Sequence, residues 1–176
     1  YKRQVMDNQI YGLTKGQTSP SSAKGFVTKS TPKGNIEKNV APLELALSSG
    51  ATFVAQGFSS DIKALTKMIE DAIHHDGFSF VNVFSPCVTY NKVNTYDWFK
   101  EHLTSIDDIE GYDNTDKQLA MKTVLDHESL VKGIVYQDTT TPSYESQISE
   151  LEHEALAKRD IHITEETFND LTAQFL

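Results

Sequence analysis

The chain has 176 residues, of which 38% are apolar, and a formal net charge of −9. This length suits roughly one domain, and the apolar content is enough to bury a core, which argues against wholesale disorder. The single cysteine, Cys87, cannot form an internal disulfide, and the acidic balance argues against nucleic-acid binding. No apolar run approaches the ~18–20 residues of a membrane helix, and no secretory signal is visible, so we expect a soluble, cytoplasmic α/β protein.

The first forty residues are polar and rich in turns. Val5 and Met6 resemble the end of a strand, whereas residues 1–4 are too polar to begin one. From Asp7 to Lys38, glycines and prolines punctuate a segment that has hardly any apolar cluster. A loop of this length inside a domain is more often functional than idle.

After residue 42 the apolar pattern alternates between helix and strand. The predicted elements are a helix over 43–47, a strand over 53–55, a helix over 62–73 and a strand over 78–84. This order, with short links, predicts an α/β fold with a doubly wound, mostly parallel sheet. Ligands of such sheets bind beyond the carboxyl ends of the strands, and both Asn8 and Cys87 follow a predicted strand end.

The remainder of the chain is more polar. Helical spacing of apolar residues predicts helices over 96–103 and 117–130, and residues 133–136 have the character of an edge strand. A last helix is predicted over 164–175, with Thr164 as its N-cap.

The segment from Asn8 to Pro20 carries the chemistry that the residues themselves suggest. It combines an amide side chain, two glycines, several hydroxyls and one lysine. Glycines allow close backbone approach, hydroxyls and backbone N–H groups bind phosphate, and an amide oxygen suits Mg²⁺. In an extended loop, the Asn8 side chain and the Ile10 carbonyl could be neighbouring magnesium ligands. Composition alone favours an Asn-capped turn with flexible glycines, and both alternatives stay open here.

The same run, Asn8 to Pro20, resembles the thiamine-diphosphate loop of the β subunit of 2-oxoacid:ferredoxin oxidoreductases. That family also carries a strand ending in Ser-Pro-Cys further along the chain, and residues 78–87 match this strand in position and character. The similarity extends through about residue 100. Two separated motifs in register make the resemblance specific.

The resemblance implies roles for individual residues. Asn8 would coordinate Mg²⁺ through its side chain and Ile10 through its carbonyl oxygen. Lys15 would hold the carboxylate of the substrate, although a salt-bridged or solvated lysine remains an open alternative. Cys87 would be the last of four cysteine ligands to a [4Fe–4S] cluster, whereas a strand-end cysteine is by default a small buried hydrophobe. The residues expected to line the diphosphate and the thiazolium end of the cofactor are Gly12, Leu13 and Thr14.

The resemblance also implies an activity and partners. The family carries out oxidative decarboxylation of a 2-oxoacid, here expected to be 2-oxoglutarate, to acyl-CoA, with electrons passed to ferredoxin. An α subunit is expected to complete the site. Residues 1–100 would be the C-terminal part of the thiamine-diphosphate-binding domain, and residues 101–176 a helical and extended extension that packs on it or on the partner subunit.

The chain departs from the family pattern at two points. The upstream Gly-Asp-Gly motif, whose aspartate is the first magnesium ligand, and three further cysteines have no counterpart in it. We therefore expect the chain to lack the N-terminal part of the subunit, to hold no cluster by itself and to be inactive alone. The alternatives are a folded non-enzymatic fragment and a non-oxidative thiamine-dependent decarboxylase.

Overall fold

A computed structural model of the chain describes residues 1–151, 154, 156–160, 162–173 and 175. The chain divides into two compact units, Tyr1–Thr141 and Pro142–Leu176. The functional boundary predicted at residue 100 stays a prediction, since this division rests on the packing of the backbone alone.

The first unit is built on a five-stranded sheet, and the predicted fold class is confirmed. The strand order is β1-β3-β2-β5-β4, in which β1, β3 and β2 are parallel, β5 is antiparallel to β2, and β4 is parallel to β5. The strands are β1 (Lys2–Asp7), β2 (Phe53–Phe58), β3 (Ser79–Phe84), β4 (Thr104–Ser105) and β5 (Val131–Gln137).

Helices cover both faces of this sheet. One face packs against α1 and α4 through a cluster that includes Leu47, Val54 and Val124, and the other packs against α2 through Met68 and Val81. The helices of this unit are α1 (Pro42–Ser48), α2 (Ile62–His74), α3 (Tyr96–His102) and α4 (Lys117–Asp126).

Three predicted elements differ from the structure. Residues 1–4 were predicted to be too polar to begin a strand. In the structure residues 2–4 belong to β1, because an edge strand can expose polar side chains. Residues 133–136 belong to β5, which lies between β2 and the two-residue β4 and is therefore not an edge strand. The helix predicted over 117–130 ends at Asp126, because Glu128 and Ser129 adopt left-handed φ angles of 50° and 62°.

A buried polar link ties the centre of the sheet to β5. The Gln56 side-chain amide donates to the carbonyl oxygens of Ser129, at 2.6 Å, and Val131, at 2.7 Å. Its oxygen accepts from the Asn82 amide at 2.8 Å. These bonds hold the start of β5 against β2, where the two strands run in opposite directions.

The described residues of the second unit form three 3₁₀ turns and one helix. The turns are Glu145–Gln147, Ser149–Leu151 and Leu156–Lys158, and the helix α5 spans Glu165–Ala173. The predicted cap is confirmed, because Thr164 Oγ1 accepts a hydrogen bond from the Thr167 N–H at 3.2 Å. Residue 174, predicted to belong to this helix, lies outside the described residues. Within the described residues, no helix is long and apolar enough to cross a membrane, and the cytoplasmic location stays a prediction.

Helix α1 offers a matched pair of leucines for testing the core. Leu47 is completely buried, whereas Leu45 in the same helix is 60% exposed. Leu47→Ala is expected to lower the free energy of unfolding by about 2–5 kcal/mol, because it removes buried methyl groups and leaves a cavity. Leu45→Ala is expected to change it by less than about 0.5 kcal/mol. Urea unfolding of both variants checks this, and equal effects would contradict the assigned packing of α1.

Candidate functional site

Three parallel strands end at the same level of the sheet. Asp7 of β1 and Phe58 of β2 are both in register with Phe84 of β3. The Ser85 N–H then donates to the Asp7 carbonyl at 2.8 Å. The segments that begin at Asn8 and at Ser85 therefore leave the sheet side by side, so two motifs almost eighty residues apart in sequence meet at one edge.

The loop after β1 begins with an Asx turn. Asn8 Oδ1 accepts a hydrogen bond from the Ile10 N–H at 3.2 Å. Gln9, between them, has a left-handed φ of 55°, and the Ile10 side chain is buried. The loop therefore begins with the Asn-capped turn rather than in the extended form from which the ligand pair was argued, and the assignment of Asn8 and the Ile10 carbonyl as magnesium ligands stays a prediction.

Buried polar side chains hold this turn in place. Asp7, only 7% exposed, accepts through Oδ1 from the Gln9 N–H at 3.0 Å and from Ser21 Oγ at 2.7 Å. The Ser22 hydroxyl donates to the Gln9 carbonyl at 2.6 Å. Both bonds to Gln9 restrict the backbone between Asn8 and Ile10.

A tight turn follows, from Tyr11 to Gln17. The Tyr11 N–H donates to the Gln17 carbonyl and the Gly16 N–H to the Tyr11 carbonyl, each at 2.9 Å, and the Lys15 N–H donates to the Gly12 carbonyl at 3.0 Å. Gly16 has a φ of 97°, a conformation that glycine adopts without steric cost. Lys15 also has a left-handed φ, 68°, which is uncommon for a lysine.

The tip of this turn faces solvent. Leu13 is 99% exposed, and Thr14 and Lys15 are also exposed. The role predicted for these residues, lining the cofactor, stays a prediction.

Cys87 lies directly against the loop. A Cβ atom placed on Gly12 would lie 3.6 Å from Cys87 Sγ and 4.0 Å from Asn8 Nδ2. The side chain of Asn91 adds a further link, because its amide donates to the Asn8 carbonyl at 3.4 Å. The tertiary structure therefore brings together Asn8, Gly12 and Cys87, three of the residues that the sequence singled out.

The surroundings of Cys87 favour a thiolate. Burial raises the pKa of the Cys87 thiol, but the backbone N–H groups of Tyr90, Thr89 and Asn91, with the ammonium of Lys92, outweigh this effect. The net result is a pKa below the ordinary value of a cysteine. Thiolate is the form in which cysteine binds metal. Among the residues that the structure describes, no group of three or more His, Cys, Asp or Glu side chains could hold a metal ion.

Sequence reasoning missed Asp7, Ser21, Ser22 and Asn91, the residues that hold the loop. Ser21 and Ser22 carry only the signal of a turn, and Asn91 follows the predicted strand without any motif of its own. Their contribution depends on hydrogen bonds between segments distant in sequence, such as the 3.4 Å bond from Asn91 to Asn8.

Two protein-family models match this chain, and the boundary between the two matches falls at the end of β3. Residues 2–83 match the protein-family model described as "Thiamine pyrophosphate enzyme, C-terminal TPP binding domain". Residues 87–153 match the model that describes the C-terminal region of the pyruvate ferredoxin oxidoreductase beta subunit. The second match begins at Cys87, the last residue of the Ser-Pro-Cys run that follows β3.

Individual relatives agree with the family models. The chain is 40% identical over 152 residues to the 2-oxoacid:ferredoxin oxidoreductase subunit beta of Sulfolobus sp., covering 81% of this chain and 50% of the relative. It is 44% identical over 87 residues to the 2-oxoglutarate oxidoreductase subunit KorB of Mycobacterium tuberculosis, covering 49% of this chain and 23% of the relative.

A solved structure shares the fold. The chain superposes with a TM-score of 0.81 and 31% identity on a 2-oxoglutarate:ferredoxin oxidoreductase from Magnetococcus marinus, solved with 2-oxoglutarate, coenzyme A and succinyl-CoA bound. The match covers 97% of this chain and 57% of that one. The chain spans about half the length of the curated relatives that it matches over more than 150 residues.

Proposed function

Because this chain belongs to the family of 2-oxoacid:ferredoxin oxidoreductase β subunits, we propose that it takes part in the oxidative decarboxylation of a 2-oxoacid, with 2-oxoglutarate as the substrate. The products would be acyl-CoA, CO₂ and reduced ferredoxin, and an α subunit would complete the site. The observation that carries this proposal is the contact of Cys87 with the loop that holds Asn8 and Gly12.

The residues of the loop fit thiamine diphosphate and magnesium. Asn8 offers an amide oxygen beside the backbone of Ile10, and hard cations such as Mg²⁺ take oxygen ligands of these types. Gly12 leaves open a space that a side chain would fill, next to Asn8 and Cys87. Asn8 and the Ile10 carbonyl would hold the ion, and Gly12 would let the diphosphate approach the backbone.

The other residues of the proposed site are each assigned one role. When bound, thiamine diphosphate supplies the carbanion chemistry at the 2-oxo carbon. Leu13 and Thr14 would line the cofactor from the exposed tip of the turn, and Lys15 would bind the carboxylate of the substrate. Cys87 would supply one thiolate to a [4Fe–4S] cluster. The single cysteine of the chain means that the other three thiolates come from elsewhere in the assembled enzyme.

The assembled enzyme gives a direct test of this function. We expect 2-oxoglutarate to reduce ferredoxin only in the presence of coenzyme A, with acyl-CoA and CO₂ formed together. The measurement is the absorbance change of ferredoxin, with product analysis in the same samples. Release of CO₂ and an aldehyde without reduction of ferredoxin would instead identify a non-oxidative decarboxylase.

A further inference from the structure

The segment from Lys15 to Lys38 carries a charge opposite to that of the whole chain. It contains five lysines and one acidic residue, Glu37, in a chain of net charge −9. All five lysines are exposed, and within the described part of the chain none of them forms an ion pair with a carboxylate. These positive charges are therefore available to an anionic ligand.

Two of these lysines face a common cavity. Lys15 and Lys29 both line a cavity of about 400 Å³, whose other walls include Ile10, Thr28 and Tyr90. The volume falls in the ~300–1,000 Å³ range of small-molecule sites. Because Lys15 and Ile10 belong to the cofactor loop, the cavity adjoins the place where the reaction would occur.

Lys15 and Lys29 lie in two different turns of this segment. Lys15 keeps its left-handed φ of 68° in the turn that Tyr11 and Gln17 close. Lys29 lies in a turn in which the Thr31 N–H donates to the Thr28 carbonyl at 3.2 Å and the two threonine hydroxyls are 2.8 Å apart. A Cβ atom placed on Gly16 would lie 3.3 Å from Cδ1 of Tyr90, so the Tyr90 ring packs against Gly16 and brings the segment after Cys87 to this wall.

We propose that Lys29 binds the distal carboxylate of a dicarboxylic 2-oxoacid and so determines the preference of the enzyme for such substrates. This inference rests on the proposed function, in which Lys15 binds the carboxylate next to the 2-oxo group. Two cations on the wall of one cavity match a dianion, whereas a monocarboxylic 2-oxoacid leaves the second cation without a partner.

The test compares two substrates in the assembled enzyme. Lys29→Met removes the charge and keeps an apolar stem of similar length. Since a hydrogen bond to a charged group contributes about 1.5–3 kcal/mol, we expect kcat/KM for 2-oxoglutarate to fall roughly 10- to 100-fold. The value for pyruvate, which has no distal carboxylate, is expected to stay within about twofold of its original level, and Lys29→Arg should retain most of the preference for 2-oxoglutarate.

A binding measurement separates this inference from the proposed function. Glutarate has both carboxylates but no reactive 2-oxo group, so calorimetry with glutarate and with butyrate reports the dicarboxylate pocket without turnover. We expect glutarate to bind more tightly than butyrate, and Lys29→Met to abolish the difference. This result would support the pocket even if no 2-oxoacid were oxidised, an outcome that would count against the proposed function alone.

Lys33 is the matched control, because it lies in the same segment but lines a different cavity. Lys33→Met is expected to change neither the ratio of kcat/KM values nor the binding of glutarate. Three outcomes would overturn the role of Lys29: an equal loss of activity toward both substrates, an effect confined to the KM of coenzyme A, which would assign the charge to a phosphate, or an equal effect of Lys33→Met.

Discussion

Replacement of Cys87 by serine is expected to abolish the reduction of ferredoxin by the assembled enzyme while leaving the binding of thiamine diphosphate intact. A [4Fe–4S] cluster is normally held by four cysteine thiolates, and a serine hydroxyl is a poor substitute for one of them. The loss should exceed the ~10- to 100-fold that is typical when only an outer partner of a metal ligand is removed.

The structure explains why this position in particular should matter. Cys87 lies three residues after Phe84, the last residue of β3, and backbone N–H groups of the next turn, with Lys92, stabilise its thiolate. Its sulfur also lies against Gly12 of the proposed cofactor loop. Electrons that leave the substrate at that loop would therefore have only a short distance to travel to a cluster bound at Cys87.

Three measurements test this prediction together. They are the iron content of the purified enzyme, its visible absorption, and the rate of ferredoxin reduction. Val88→Ser provides a control, because it introduces the same hydroxyl at the neighbouring, exposed position. A Cys87→Ser enzyme that kept its full iron content and its rate would contradict the assignment of Cys87 as a ligand.

Replacement of Asn8 by alanine is expected to weaken the binding of thiamine diphosphate and Mg²⁺ by roughly 10- to 100-fold, the effect of losing one interaction with a charged group. The Asn8 amide oxygen is the side-chain oxygen that the Asx turn holds against the Ile10 N–H, at 3.2 Å. Asn8→Asp keeps an oxygen at this position and should retain most of the affinity, because Mg²⁺ also accepts carboxylate ligands.

Calorimetric titration of the assembled enzyme with thiamine diphosphate, at fixed Mg²⁺ concentrations, measures this effect. Asn39→Ala removes an exposed asparagine at the other end of the polar segment and is expected to have no effect. Unchanged affinity in Asn8→Ala would show that the Asx turn is structural only. Equal loss in Asn8→Ala and Asn8→Asp would indicate that the amide nitrogen, rather than the oxygen, is required.

Local patterns in the sequence were sufficient for most of the secondary structure. The apolar spacing in α2 and the Thr164 cap of α5 depend on residues within one or two turns of each other, and both were predicted. The errors fell where a neighbour distant in sequence decides the outcome. The polar strand β1 is stabilised by pairing with β3, more than seventy residues away, and β5 is inserted between β2 and β4.

The candidate site likewise depends partly on local sequence motifs and partly on contacts between segments distant in sequence. The two motifs, and with them Asn8, Ile10, Lys15 and Cys87, were singled out through their resemblance to a known family, and the roles of these residues stay predictions. The sequence alone also excluded an internal disulfide and left only one thiolate for a cluster, because one cysteine permits no more.

The tertiary structure alone decided what surrounds these residues. It placed Cys87 against Gly12, tied Asn91 to Asn8, and put Lys29 on the wall of the cavity that Lys15 lines. The physical reason is that residue order constrains local hydrogen bonding, whereas contacts across a sheet follow from the register of its strands. That register is set by the packing of the whole core rather than by any single motif.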